Sequence, residues 1–338
     1  MKILQTSSTQ RNNPQKILLL LVVLLIMIAC MSLCLGAEQI NILHALTDLI
    51  TGNNSTAVRI LQYVRLPRTC AGLLAGAALA ASGTIIQGVL ANSLAAPSTI
   101  GVNAGAGFTV ALFCAVAPGA LMAVPFAALA GAFGGAMLVL SIAEHTSASK
   151  ISLVLAGVAV SGIFSAGIDA IITFVPESLN GYSDFRIGGL FNVSLHQLFP
   201  AAILIFIALI AACSLHNELD LLMLGTEQAQ SLGLPAHKMQ ILFLAIAAIL
   251  AGSAVSFAGL IGFVGLMVPH IMRQLVGETS GILLVSSALG GAILLCGCDL
   301  LARLLFAPFE LPVGIVMALI GGPFFIWLLK KRGRYKND

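Results

Sequence analysis

Long apolar runs, broken by short polar or Gly/Pro-containing stretches, cover most of the chain. Their edges predict ten membrane-spanning helices, over about 17–36, 66–90, 98–116, 119–143, 151–175, 195–214, 239–258, 261–277, 281–303 and 312–330. Between Thr69 and Ala143 there is no Asp, Glu, Lys, Arg or His. A span needs about 20 apolar residues, so this stretch alone holds about three. The run 261–277 is short and follows its predecessor almost without a break. At the other extreme, Lys16, the apolar segment 17–29 and Cys30 resemble a secretory cleavage site. The run continues through Leu35 and many spans follow, which favours a first membrane helix.

Composition sharpens this picture. The 338 residues are 59% apolar and only 9% charged, with a mean hydropathy of +1.05. Soluble domains carry about 25% charged residues. A soluble enzyme, a nucleic-acid binder and a disordered scaffold are therefore excluded. The expected fold is an all-α polytopic membrane protein forming one domain over 1–338. The seven cysteines (30, 34, 70, 114, 213, 296 and 298) all lie in apolar segments and read as small core-like side chains, with no metal site among them.

Charge sets a predicted topology. The tails 1–16 and 331–338, with the flanking Lys330, carry eight basic residues between them. Lys and Arg favour the cytoplasmic side, so both termini are expected inside and the number of crossings even. Lys150, Lys238 and Arg273 then fall inside as well. The five remaining cations are Arg59, Arg65, Arg68, Arg186 and Arg303, all on the outer side. Arg presents a planar fork suited to carboxylates where Lys is a point charge.

Small residues recur at four-residue spacing in Gly72/Gly76, Gly101/Gly105 and Gly131/Gly135, a pattern that lets helix backbones approach closely. No GxxxxGK[ST] loop and no HExxH occurs, so no catalytic residue is assigned. Asp169 and Asp299 near span ends are the one pair that a membrane aspartyl protease would need. Asp299 and Arg303 stand four apart on one helix face. They either neutralise each other or leave Asp299 to aim Arg303 at an acidic partner. His270 follows Pro269 in an apolar run, as a kinked helix end with a satisfied His or as an intramembrane functional group. Segment 219–235 predicts two short helices, the second capped by Thr226 and stopped by Gly233 and Pro235. It reads as a docking surface for a soluble partner or as a linker.

Several motifs in order resemble the FecCD/BtuC-type permease subunits of bacterial ABC importers for iron-siderophores, haem and cobalamin. They are Arg65-Leu-Pro-Arg68 with Gly76-Ala-Ala-Leu-Ala80 and Gln87-Gly88; Asn92-Ser-Leu-Ala-Ala-Pro97 with Gly101-Val-Asn-Ala-Gly105; and Leu224-Gly225, Ala229 and Leu232-Gly233. Gly262-Phe-Val-Gly265-Leu266 with Pro269-His270 and Arg273 follows. Last come Asp299-Leu-Leu-Ala-Arg303, Glu310-Leu-Pro312-Val-Gly314 and Gly321-Gly-Pro323. The chain departs from the family loop N-P-L-A-D-P at Ser93 and Ala96, and segment 177–194 lacks the Trp residues that many members carry.

The resemblance implies a ten-helix permease of the type II importer fold in a bacterial inner membrane. It would pair with a second, identical or homologous, permease and with two P-loop ATPase subunits that use ATP and Mg; no cofactor would be bound by this chain. A periplasmic or lipid-anchored binding protein would deliver an iron chelate, with haem or cobalamin as the alternative cargo. Arg65, Arg68 and Arg303 would dock the binding protein's glutamates. Leu224, Gly225, Ala229, Leu232 and Gly233 would couple to the ATPase. Asn92, Pro97, Gly101, Gly262, Gly265, Pro269, His270, Arg273, Asp299 and Pro312 would be structural or gating positions. The rival from another class is a secondary transporter, which tends to use midplane carboxylates. Spans two to four contain no ionisable group from Thr69 onward.

Overall fold

The computed structural model describes residues 13–36, 38, 40, 42–53, 55–145, 150–191, 193–305, 307 and 309–334, and all regular structure among them is helical. In hydrocarbon every backbone N–H and C=O needs an internal partner, and a helix supplies it within one segment. Helix α1 is Pro14–Cys34, α2 Ile42–Thr51, α3 Thr56–Ile60 and α4 Leu66–Leu90. They are followed by α5 (Val102–Val116), α6 (Val124–His145), α7 (Lys150–Phe174), α8 (Ser178–Ile187) and α9 (Leu195–Ser214). Two short helices, α10 (His216–Met223) and α11 (Thr226–Ser231), precede α12 (Ala236–Ala258), α13 (Val264–Val276), α14 (Ser280–Leu304) and α15 (Val313–Arg334).

Every predicted span coincides with a helix, and seven helical stretches are long and apolar enough to cross a membrane. The chain is a multi-pass membrane protein. Three elements fall short of a full span: α5, the apolar part of α15 (Val313–Leu328), and α13. The 13 residues of α13 rise only about 20 Å, against a hydrocarbon core of about 30 Å. Its missing turn is the non-helical stretch 259–263, in which Gly259 and Phe263 have φ of 71° and 68°. Irregular backbone at membrane depth is tolerated where protein surrounds it. Gly259 and Ile261 are buried, and the Phe263 ring lies flush on Gly321 of α15.

The second predicted span starts earlier than expected. Helix α3 continues into α4 through a π-helical turn, Leu61–Arg65. Pro67 has no N–H to return to the preceding turn and its ring crowds that turn's carbonyl. The wider π turn, just ahead of Pro67, absorbs this mismatch. It also carries Arg65 and Arg68 onto the side of α4 that meets α1 and α14.

The core is built on α4, which packs against both α12 and α14; α12 packs further against α6 and α9, and α14 against α13. Glycine makes the closest approaches. A Cβ at Gly76 would overlap the backbone of Gly291, one at Gly83 the backbone of Gly265, and one at Gly105 the backbone of Gly131. The Gly101/Gly105 pair of α5 thus faces the Gly131/Gly135 pair of α6 directly. By contrast α1, α7 and α9 are largely exposed, with apolar side chains such as Leu19, Ile163 and Phe206 pointing outward. That surface is what a lipid or a second membrane subunit would cover.

Candidate functional site

Two groups of side chains, at opposite ends of the bundle, collect most of the residues singled out in the sequence. The first joins the N-terminal end of α4 to the C-terminal ends of α1 and α14. Asp299 of α14 accepts from Arg68 Nε at 3.0 Å through both carboxylate oxygens, from Arg68 Nη2 at 3.0 Å, and from Arg303 Nε at 3.1 Å. Arg68 Nη1 also ion-pairs with Glu310 in the α14–α15 connection. Arg303 Nη2 donates to Ser32 Oγ at 2.7 Å, and Ser32 Oγ shares a 2.7 Å hydrogen bond with Thr69 Oγ1. Two arginines facing two carboxylates give a balanced charge cluster.

Arg65 stands apart from that cluster and closes α1. Its Nη1 donates to the carbonyls of Leu33 and Cys34 at 2.9 and 2.6 Å, and its Nη2 to the carbonyl of Glu38 at 2.6 Å. A helix C-terminus leaves carbonyls unpaired and carries partial negative charge, which a guanidinium satisfies on both counts.

The three arginines expected to dock the binding protein's glutamates, Arg65, Arg68 and Arg303, are thus held by groups of their own chain. They are 4%, 4% and 2% exposed and committed to partners within the chain. Asp299, at 1%, does not aim Arg303 at an outside partner but holds both guanidiniums against α1 and α4. Of the five arginines expected on the outer side only Arg59 and Arg186 are exposed. Asp299 is fully engaged by the arginines, while Asp169 is exposed on α7, so the two do not form a catalytic pair.

The second group lies at the other end, beside α10. Gln87 Nε2 donates to the Gly265 carbonyl at 3.2 Å and its Oε1 accepts from Arg273 Nη1 at 3.1 Å, tying α4 to α13. Gln87, Asn92, His270, Arg273 and Met223 line one cavity of about 450 Å³. His270 Nε2 is 3.0 Å from Gln274 Nε2, and its ring meets Phe324 edge-on. Asn92 Oδ1 accepts from Leu94 N at 3.0 Å, forming an Asx turn after α4. Pro97 opens a 3-10 turn, and Gly101, with φ 80°, makes the left-handed junction into α5. Gly265 packs on Leu79 and Pro97, whereas a side chain at Gly262 would meet open space. Pro269 is accommodated inside α13, and Pro312 immediately precedes α15.

The α10–α11 hairpin covers this end. Leu224 and Leu232 are 59% and 62% exposed, while Ala229 is buried. Gly225 and Gly233 adopt φ of 115° and 86°, conformations that favour glycine. The expected Thr226 cap is not observed: Gly225 occupies the N-cap position and Thr226 is the first helical residue. Thr226 Oγ1 instead accepts from Gln240 Nε2 of α12 at 3.4 Å. Asp220 Oδ1 accepts from Ser280 N at 2.9 Å, capping α14. Asp220 and Ser32 are not set apart by any pattern in the sequence, whereas Gln87 belongs to the Gln87-Gly88 motif. Gln87 had a visible signal, being the only side-chain amide in an otherwise apolar run. Within segment 177–194, Ser178–Ile187 form α8, and Glu177 and Asp184, with Gln197 of α9, help wall a cavity of about 840 Å³ at the opposite end.

The sequence from 22 to 331 matches the FecCD transport family. The chain is 37% identical to the Fe(3+)-citrate import system permease protein YfmE of Bacillus subtilis, over 98% of this chain and 99% of that protein. It is 35% identical to the hemin transport system permease protein HmuU of Yersinia pestis, covering 85% and 88%. With the vitamin B12 import system permease protein BtuC of Salmonella paratyphi A it shares 38%, covering 98% and 100%. The structure superimposes on an inward-facing metal-chelate type ABC transporter with a TM-score of 0.83 at 30% identity, covering 94% of this chain and 99% of that one. Nucleotide-binding motifs are lacking in this chain, and ATP hydrolysis resides in a separate subunit. The chain belongs to the FecCD transport family and is the permease subunit of an ABC importer.

Proposed function

We propose that the cargo is a ferric chelate, carried across a bacterial inner membrane by a pair of permeases with two ATPase subunits inside and a binding protein outside. The observation that carries this reading is end-to-end similarity to an iron-citrate permease. Haem and cobalamin permeases match to a comparable degree, so the choice among cargoes rests on assay.

On this reading the α10 end is cytoplasmic, the α8 end faces outward, and ten traversals bring both termini inside. The exposed Leu224 and Leu232 offer apolar anchors for the ATPase, on a hairpin whose shape Gly225 and Gly233 set. The binding protein meets the exposed Arg59 and Arg186, while Arg65, Arg68 and Arg303 hold the outer frame beneath it. Rigid-body tilting of the bundle between outward-open and inward-open states then moves the cargo.

The test is purification from native membranes in mild detergent. A P-loop ATPase recovered in equal amount, with hydrolysis stimulated by a binding protein loaded with ferric citrate, supports the proposal. Stimulation by the haemin-loaded or cobalamin-loaded protein alone overturns the iron reading. Absence of an ATPase both from the purified material and from crosslinked membranes overturns the assembly.

A further inference from the structure

Arg273 occupies an unusual electrostatic position. It is half-buried near the end of α13 and lines the 450 Å³ cavity. One guanidinium N–H goes to Gln87, and among the described residues no carboxylate lies within 4.0 Å of it. A guanidinium offers five N–H donors in a rigid fork. Arg68 and Arg303, by contrast, have Asp299 and Glu310 to balance them. Glu278 lines the same cavity but stands more than 4.0 Å away, so the remaining guanidinium N–H donors have no partner among the described residues and are open to an anion.

The surroundings say what kind of anion fits. Gln87 is fixed by the Gly265 carbonyl and holds Arg273 in place. His270 and Gln274 add polar groups on one side. Behind His270 stands an aromatic wall on α15, with Phe324 6.2 Å from His270 and Trp327 6.3 Å from Phe324 by ring centroids. Glu278 is exposed on the cavity rim, where water and salt weaken its opposition. A forked cation beside amide and imidazole groups, in a cavity of about 450 Å³, suits an organic oxyanion with several acceptor oxygens better than a small, strongly hydrated inorganic ion.

We propose that this cavity is the last station of the cargo on its way out, with Arg273 pairing the carboxylate groups of an anionic ferric chelate. The inference rests on the iron-chelate reading above and adds to it the charge of the chelate and the residue that meets it. Asn92 and Met223 on the cavity wall place the station beside the coupling hairpin, where hairpin motion can open it.

The chain's single Trp, Trp327, is linked to His270 through Phe324 and serves as the optical probe. The full chain in lipid nanodiscs is titrated with gallium citrate, an anionic closed-shell analogue of ferric citrate, while Trp327 emission is followed. A saturable change is expected, with the midpoint raised at least about tenfold in Arg273→Gln and within about threefold of wild type in Arg273→Lys. Sulfate at matched ionic strength gives no change. Three results overturn the site: superimposable wild-type and Arg273→Gln curves, an equal response to sulfate, or unchanged binding in an Arg273→Gln chain that no longer retains the ATPase. Radioiron citrate uptake by the wild-type importer is measured in parallel. Uptake without an Arg273-dependent titration overturns the exit site alone. A wild type that carries no ferric chelate overturns the iron reading and the named ligand with it.

Discussion

Asp299 carries two guanidinium groups at once, and its neighbours leave no room for water to replace either. Breaking a buried ion pair by removing one partner strands the other charge, at a cost of about 3–5 kcal/mol. Asp299→Asn is therefore expected to destabilise the chain by about that amount, read as a lowered midpoint of denaturant unfolding in micelles. Glu310 is 34% exposed, so solvent screens its pair with Arg68. Glu310→Gln is expected to cost no more than about 1 kcal/mol in the same assay. Equal losses for the two variants would show that the cluster does not have the graded burial described here. The same gradient separates docking from framing. Reversing Arg59 and Arg186 to Glu should raise the binding-protein concentration for half-maximal ATPase stimulation about tenfold, with the yield of folded chain intact. Reversing Arg65, Arg68 and Arg303 should remove the folded chain itself. Retained folding with lost stimulation in the second set would return the docking role to those three residues. The i, i+4 spacing of Asp299 and Arg303 made their contact legible in the sequence. Their pairing with Arg68, 231 residues from Asp299, was not, because sidedness can be read from a charge pattern but depth cannot.

At the level of elements, the apolar runs located all the membrane helices because each is a continuous hydrophobic segment. The edges moved where backbone chemistry intervened, at the π turn ahead of Pro67 and at the buried non-helical stretch before α13. The glycine pairs were visible as spacings, but their partners were not: Gly76 meets Gly291 and Gly83 meets Gly265, contacts between segments far apart in sequence. This gives a position-specific expectation. Gly76→Ala and Gly83→Ala force backbone apart and should cost about 1–3 kcal/mol each. Gly134 and Gly162, where a Cβ meets nothing within 4 Å, should tolerate Ala with unchanged or slightly raised stability, because Ala is favoured over Gly in a helix by up to about 1 kcal/mol. Unfolding midpoints of the four variants in detergent test the contrast, and a loss at Gly134 or Gly162 equal to that at Gly76 would mean that crowding is not what selects glycine.

Across the whole molecule, the two polar groups are joined by the pair of helices in most extensive contact, α4 and α14. Each has 25 residues and so extends about 37 Å, enough to run from the α10–α11 hairpin to the charge cluster around Asp299. At the α10 end Leu219 of α10 packs on Gly88 of α4, and Asp220 of α10 caps α14 through Ser280. At the opposite end Arg68 of α4 is fixed to Asp299 of α14. A displacement of the hairpin therefore reaches both helices together, and their glycine-tight interface and terminal ion pair resist sliding. On this account Asp220 transmits force without touching cargo or nucleotide. Asp220→Ala should leave ATP hydrolysis within about twofold of wild type while chelate transported per ATP falls several-fold, since an N-cap is worth only about 1 kcal/mol to stability but is here the hairpin's hydrogen bond to α14. Asp220→Asn, which keeps an acceptor oxygen, should recover most of the ratio. Transport and hydrolysis measured together in proteoliposomes decide the matter. An unchanged ratio in Asp220→Ala would mean that motion enters the bundle through the apolar contact with α4 alone.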